Sequence, residues 1–391
     1  MVQRGLACCL ATSGLVWASA CSNDFSGYHL GSAAAGASDS EGGSSGMAAL
    51  GGGVAVTGGG VVEVGGSRNI AGGPASGGDR GDTGSADEAG SGGAAKGDSG
   101  DAGSAGSVVV LLNVAPPSCQ ALAPTCGPAG NSNCCAASLV PSGAYNRSNL
   151  PSAPATLSDF GLDLYEISVG RFRNFVPAYS QTMLAAGAGS NPNNPNDPGW
   201  NVAWNAKLPA TPAALVTAVQ CSNGTYTVKP AANEGKPMVC LSWYEAFAFC
   251  AWDGGRLVTE AEWNYAAAAG DEARTYPWGN TALDDNHAVF CPGSCSMVQG
   301  VGSKAPSGNG KWGQIDLVGN AWEWNLDVYL APYPQASCQN CATTTASANS
   351  LRVFRGGSAG NPASFLLSAT RNSRDPTDHN GFIGARCARA P

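Results

Sequence analysis

The sequence predicts a mixed α+β domain with short strands, few helices and many long loops, carried behind a long segment with no core of its own. Three observations lead there. Two capping boxes, Ser242 with Glu245 and Thr259 with Glu262, each open a helix that glycine closes, at Gly254-Gly255 and at Gly270. Apolar residues alternate only over short spans, Phe160-Leu162-Leu164 and Trp322-Trp324, between Gly-rich turns. Glycine, 55 of 391 residues, crowds into residues 31–106, where large apolar side chains are too few to offset the entropy of ordering.

The N-terminus reads MVQRGLACCLATSGLVWASAC. Arg4 precedes an apolar run too short to span a membrane, followed by small residues, which is a secretory pattern over residues 1–20. ASAC resembles a lipobox, with Ala18 where a larger aliphatic is usual, so lipidation of Cys21 is the expectation; an ordinary signal peptide cut nearby is the alternative. Residues 21–107 then form a Gly/Ser/Ala-rich tether. Together they predict an exported lipoprotein anchored at the cell envelope, periplasmic or on the surface. A net charge of −8, with only 12% charged residues, lacks the basic stripe that nucleic acid requires.

Of fifteen cysteines, Cys8 and Cys9 lie in the leader, Cys21 opens the tether, and the other twelve lie between residues 119 and 387. None sits at zinc-finger spacing near the three histidines, His29, His287 and His379, so disulfides in an oxidising compartment are expected. Cys119, Cys126, Cys134 and Cys135 make residues 108–137 a Cys-rich, disulfide-tied extension. Cys338-Cys341 and Cys291-Cys295 read as loop staples.

The folded part runs from residue 138 to 391. After the Phe160-Leu162-Leu164 strand, Ser168 caps a helix whose Phe172, Phe175 and Val176 share a face and which Pro177 ends. Residues 178–235, with GSNPNNPNDPGW, read as long surface loops in which Trp200 and Trp204 pack. The four capping-box residues need no catalytic role.

In order, YEISVGRF, LSWYEAFAFCAWDGGRLVTEAEWNYAA, YPWGN, LVGNAWEW, RVFRGGS and the terminal RCA resemble the formylglycine-generating enzyme, or sulfatase-modifying factor, family over roughly Ser138 to Pro391. The resemblance implies an irregular C-type-lectin-like fold. It implies a disulfide between Cys250 and Cys387. It also implies calcium held by Asp316 and Glu323 side chains and by the main-chain oxygens of Gly319 and Ala321, hard donors of the kind calcium takes. Arg355 and Ser358 would line the substrate groove, while Arg256 and Arg371 are expected to be structural.

Family enzymes oxidise a sulfatase cysteine with copper on two cysteines placed shortly after RGGS. The matching positions here lie near Asn361 and Leu366, and no cysteine occurs between Cys341 and Cys387. Asn361, Ser364 and Ser368 are hard oxygen donors, poor ligands for cuprous ion. Copper is therefore not expected. The expectation is a domain without the family's oxidation, acting as a binding or interaction module for an exported protein, peptide or other ligand. The alternatives are a divergent formylglycine-generating oxidase, with Cys338 or Cys341 folding back, and an unrelated enzyme such as a Ser358–His379–Asp378 hydrolase.

Overall fold

Local signals place the helices. Ser168 accepts a hydrogen bond from the Arg171 N–H and opens α1 (Val169–Phe175). Thr211 caps α2 (Pro212–Ala218), with Pro212 at its first position. Both capping boxes close reciprocally as expected, Ser242 with Glu245 on α3 (Trp243–Trp252) and Thr259 with Glu262 on α4 (Glu260–Ala268). The computed structural model describes residues 109–110, 115–295, 297–347 and 350–391. The signal peptide, Cys21 and the whole of the tether lie outside them.

In chain order the strands are β1 (Val109–Val110), β2 (Ala137–Val140), β3 (Gly143–Asn146), β4 (Pro154–Leu157), β5 (Phe160–Asp163) and β6 (Arg256–Leu257). They continue with β7 (Trp322–Val328), β8 (Cys338–Gln339), β9 (Arg352–Arg355), β10 (Arg371–Arg374), β11 (Ile383–Gly384) and β12 (Cys387–Arg389). Among the described residues they form three small sheets, ordered β1-β2-β5-β12-β6, β10-β9-β7-β11 and β3-β4-β8. Strands this short, joined by long loops, give the α+β architecture read from the sequence. The Cys-rich extension is part of it: β1 pairs with β2, and Ser118 donates its N–H to Asp253 at the end of α3.

Residues 178–235 are not loop throughout, because α2 lies within them and buries Leu215. The Thr211-Pro212 start was hidden by the Pro/Asn-rich stretch before it. Trp200 is buried against Phe247 of α3, 5.3 Å between ring centroids, so the loop itself contributes to the core.

That core gathers α1, α3 and the Trp322 and Trp324 rings of β7. Buried ions cross it. Arg386, just before β12, donates three hydrogen bonds of 2.6–2.9 Å to Glu323 of β7, with neither side chain exposed. Arg171 of α1 and Arg389 of β12 share Asp163 of β5 and Asp253 after α3. Cys250 and Cys387 are joined, tying α3 to the last strand across 137 residues of sequence. Closing a loop of that length restricts the unfolded chain by about 5 kcal/mol in the chain-entropy account.

Asp163→Ala strips one of the two carboxylates from both Arg171 and Arg389. The expected loss is about 3–5 kcal/mol, since a buried charge is left under-compensated. Lys311→Ala, at a half-exposed ion pair with Glu272, should cost under about 1 kcal/mol. Urea unfolding with the disulfides intact distinguishes the two.

Candidate functional site

The turn after β9 is where the sequence points first. Gly356 and Gly357 both have positive φ, 103° and 72°. A Cβ at Gly356 would come 2.7 Å from the Leu317 carbonyl oxygen, so the turn requires glycine. Ser358 is fully buried and its hydroxyl donates to Asn361 Oδ1 at 2.7 Å, while Asn361 Oδ1 also accepts the Ser358 N–H. Leu366 is buried against Gly357. Positions 361 and 366 therefore hold an amide already engaged and an aliphatic packed in the core. Each of the twelve cysteines in the described residues is in a disulfide: 119–135, 126–134, 221–240, 250–387, 291–295 and 338–341. The Cys291–Cys295 bridge lies beside this turn, with the Cys291 N–H donating to the Asn361 carbonyl.

Neither expected groove residue reaches an open groove. Arg355 is fully buried, donating to Glu260 Oε1 at 2.8 and 3.1 Å and to Ser148 Oγ at 2.8 Å. A guanidinium taken out of water must satisfy its donors internally, and here the α4 N-terminus supplies the carboxylate. Ser358 turns inward because its hydroxyl donates a hydrogen bond to Asn361 Oδ1. The hydrolase triad is not assembled: Asp378 accepts from Arg374, and His379 Nε2 lies 2.9 Å from Glu245 Oε2. Arg256 and Arg371 are structural as expected, the first bidentate to Glu262 and the second to Glu260.

Among the openings in the described residues is a pocket of about 280 Å³ at the α4 N-terminus. Its walls include Glu260, Asp327 at the C-terminal end of β7, Arg147, Tyr333 and the Cys338–Cys341 disulfide. Arg371 and Arg355 hold the Glu260 carboxylate below its usual range, outweighing burial, which pushes it up. Arg371 also lies over the Tyr333 ring, 4.3 Å from its centroid. Asp327 accepts two backbone N–H groups, from Glu260 at 2.6 Å and Thr343 at 2.7 Å. Burial, helped by the negative charge of Glu260, still pushes it up to about 7. No local sequence signal marks this pocket, because its walls come from separate segments between residues 147 and 343. The one clue is the acidic residue ending a strand that is otherwise apolar or amide-bearing after Glu323.

The expected calcium ligands fit in part. Asp316 Oδ2 accepts the Gly302 N–H at 2.6 Å, while buried Oδ1 has no hydrogen-bond partner among the described residues. Glu166, which the sequence reading did not single out, accepts from Asn320 Nδ2 and the Ala321 N–H on the same segment. Burial raises Asp316 to about 6 and Glu166 well above the usual range, with neighbouring negative charge adding to both. Such crowding is what a cation relieves, and Asp316 Oδ1 is free to serve one. Glu323 does not fit: Arg386 and the Trp263 indole N–H occupy its oxygens. Among the described residues no group of three or more His, Cys, Asp or Glu side chains is placed to hold a metal ion, so any site must draw on backbone carbonyls.

The family described as "Sulfatase-modifying factor enzyme 1-like domain" matches residues 124–391. Over 175 residues the chain is 34% identical to a Bos taurus protein named inactive C-alpha-formylglycine-generating enzyme 2, covering 39% of this chain and 50% of that protein. It is 34% identical over 180 residues to a formylglycine-generating enzyme of Streptomyces coelicolor, covering 39% and 52%. The chain thus spans about half the length of these curated relatives. A solved structure, PvdO from Pseudomonas aeruginosa, is similar at 23% identity and a TM-score of 0.46, over 66% of this chain and 94% of that one.

Asp327 holds its proton more tightly folded than unfolded. Its contribution to stability is therefore greatest below its unfolded value near 3.8 and falls as pH rises through about 7. Asp327→Asn removes that slope. At low pH it also costs about 1–3 kcal/mol, because an amide has one acceptor oxygen for two backbone donors, and that gap narrows as the wild-type carboxyl ionises. Urea midpoints from pH 4 to 8 should converge between wild type and D327N as pH rises; parallel curves would show that Asp327 is ionised throughout.

Proposed function

We infer function from the premise that the family match establishes: this chain belongs to the sulfatase-modifying factor enzyme 1-like family. Its role within that family is that of an exported binding or interaction module, without the copper-dependent oxidation of cysteine. The observation that carries this reading is the thiol inventory. All twelve described cysteines are consumed in disulfides, and the positions matching the family's copper ligands, near Asn361 and Leu366, carry an engaged amide and a buried aliphatic. Cuprous ion needs soft thiolate ligands, and oxygen donors there would not retain it. A Bos taurus relative at 34% identity carries the word inactive in its name, which supports a scaffold kept without that reaction.

Six disulfides suit an oxidising compartment, in keeping with the secretory N-terminal pattern. The domain would be presented at the envelope on the tether of residues 21–107, with Cys21 lipidated and residues 1–20 removed. Its partner is an exported protein, a peptide or another ligand. Calcium enters as a structural ion on a reduced ligand set. Asp316 Oδ1 would bind it with the carbonyl oxygens of Gly319 and Ala321, while Glu323 serves Arg386. The second reading, a divergent formylglycine-generating oxidase acting on sulfatase cysteines, draws on the 34% identity with the Streptomyces coelicolor enzyme. It would require a thiolate pair released from one of the disulfides.

The test is metal analysis of the exported chain after anaerobic exposure to Cu(I) as a weak chelate, with no thiol reductant, and removal of loose metal. The expected result is far less than one copper per chain, with calcium retained and lost on Asp316→Ala. Stoichiometric copper would overturn the binding-module reading. Calcium content unaffected by D316A would remove calcium from the Asp316 segment.

A further inference from the structure

Two of the six disulfides close loops too short to contribute much restriction of the unfolded chain: Cys338–Cys341, three residues apart, and Cys291–Cys295, four apart. A bridge that adds little to folding invites another explanation. The first has a pocket; it walls the 280 Å³ opening at the α4 N-terminus together with Asp327 and Glu260, and Cys338 also borders a second opening beside Tyr145 and Pro154.

The backbone around this bridge does not need it. β8 pairs in parallel with β4, matching Cys338 with Ala155 and Gln339 with Thr156. Asn340, in the left-handed region at φ 46°, accepts the Ser158 N–H at 2.8 Å and donates to the Asn193 carbonyl at 2.8 Å. Beyond Cys341, the Thr343 N–H is fixed on Asp327. With both flanks held by hydrogen bonds, the sulfurs can separate while the turn stays in place. Both cysteines are partly exposed.

We propose that Cys338–Cys341 is a redox-active disulfide that exchanges, through this pocket, with the thiols of an exported protein or a small thiol. A thiolate attacks Cys338 Sγ, which can be approached from both openings; the Cys338–Cys341 bond breaks and Cys341 leaves as thiolate. A second thiol then attacks the mixed disulfide, forming the donor's disulfide and releasing Cys338. Two electrons pass from two thiols to the protein's disulfide, and each departing thiolate takes up a proton. Such exchange depends on access and on stabilisation of the leaving sulfur.

Asp327 is the acid placed to supply the proton to Cys341, since it shares the pocket wall and anchors the segment two residues on. The charged and titratable groups facing it are Glu260 of α4, Arg352 of β9, and Arg147 and Tyr333 across the pocket, with Arg355 and Arg371 acting through Glu260. In this scheme Asp327, which lines the same pocket, serves as proton source as well as anchor of the Thr343 N–H, and the rate of exchange should bend near pH 7. The proposal does not rest on the absence of copper chemistry and would survive its failure.

The test treats the folded, full chain with reduced glutathione, traps thiols by alkylation at intervals, and maps them by peptide mass. The expected result is labelling of Cys338 and Cys341 at least about tenfold faster than Cys291 and Cys295, with circular dichroism unchanged. Cys341→Ser, leaving Cys338 free, should form a mixed disulfide with oxidised glutathione, and D327N should remove the bend in the wild-type pH profile. Equal labelling of the two short bridges, or labelling only with loss of the dichroism signal, would overturn the proposal. A C341S protein inert to oxidised glutathione would do the same. An unchanged pH profile in D327N would remove Asp327 from the exchange.

Discussion

The structure depends on guanidinium groups taken out of water. Arg171, Arg355 and Arg386 are fully buried and Arg389 nearly so, each against one or more buried carboxylates. Leaving such a group without its partner costs several kcal/mol, so each pair must be kept whole or replaced whole. The pairs join distant parts of the chain: Arg386 beside β12 to Glu323 in β7, Arg355 of β9 to Glu260 of α4, and the α1, α3 and β12 arginine–aspartate square. The sheets are too short to hold one another in place alone.

This constraint accounts for the family's motifs from folding alone. Glu323 belongs to LVGNAWEW, Arg386 and Arg389 to the terminal RCA segment, Arg355 to RVFRGGS, and Glu260 and Glu262 to the TEAEW segment. Each motif supplies one half of a buried ion pair, and the RGGS glycines supply a turn that a Cβ would block. Folding alone is sufficient to retain all of them. Their presence therefore identifies the scaffold and says nothing of the reaction carried out on it.

Legibility from sequence follows the range of the interaction. The caps of α1, α3 and α4 were readable because each is settled within three residues, by a hydroxyl at a fixed offset and, in α3 and α4, a reciprocating glutamate. The α2 cap has the same range but stands inside a Pro/Asn/Gly-rich stretch, whose composition pointed to loop. The Cys250–Cys387 bridge was accessible only through resemblance, since spacing does not select a partner among twelve cysteines. Arg355 and Ser358 were expected to line a groove; which way a side chain faces after a glycine turn is decided by Glu260 and Asn361, and the sequence does not place either. The Asp327 pocket, assembled from separate segments, and the Glu166–Asp316 crowding were beyond local reading.

The central claim is that the scaffold persists here without the oxidation of cysteine. The most direct measurement incubates the full chain with copper, oxygen and a sulfatase-type cysteine peptide. Mass spectrometry follows the peptide, with the Streptomyces coelicolor enzyme treated in parallel. The account predicts aldehyde from the parallel reaction and an unchanged cysteine with this protein. Aldehyde formed in proportion to this protein and to time would contradict it.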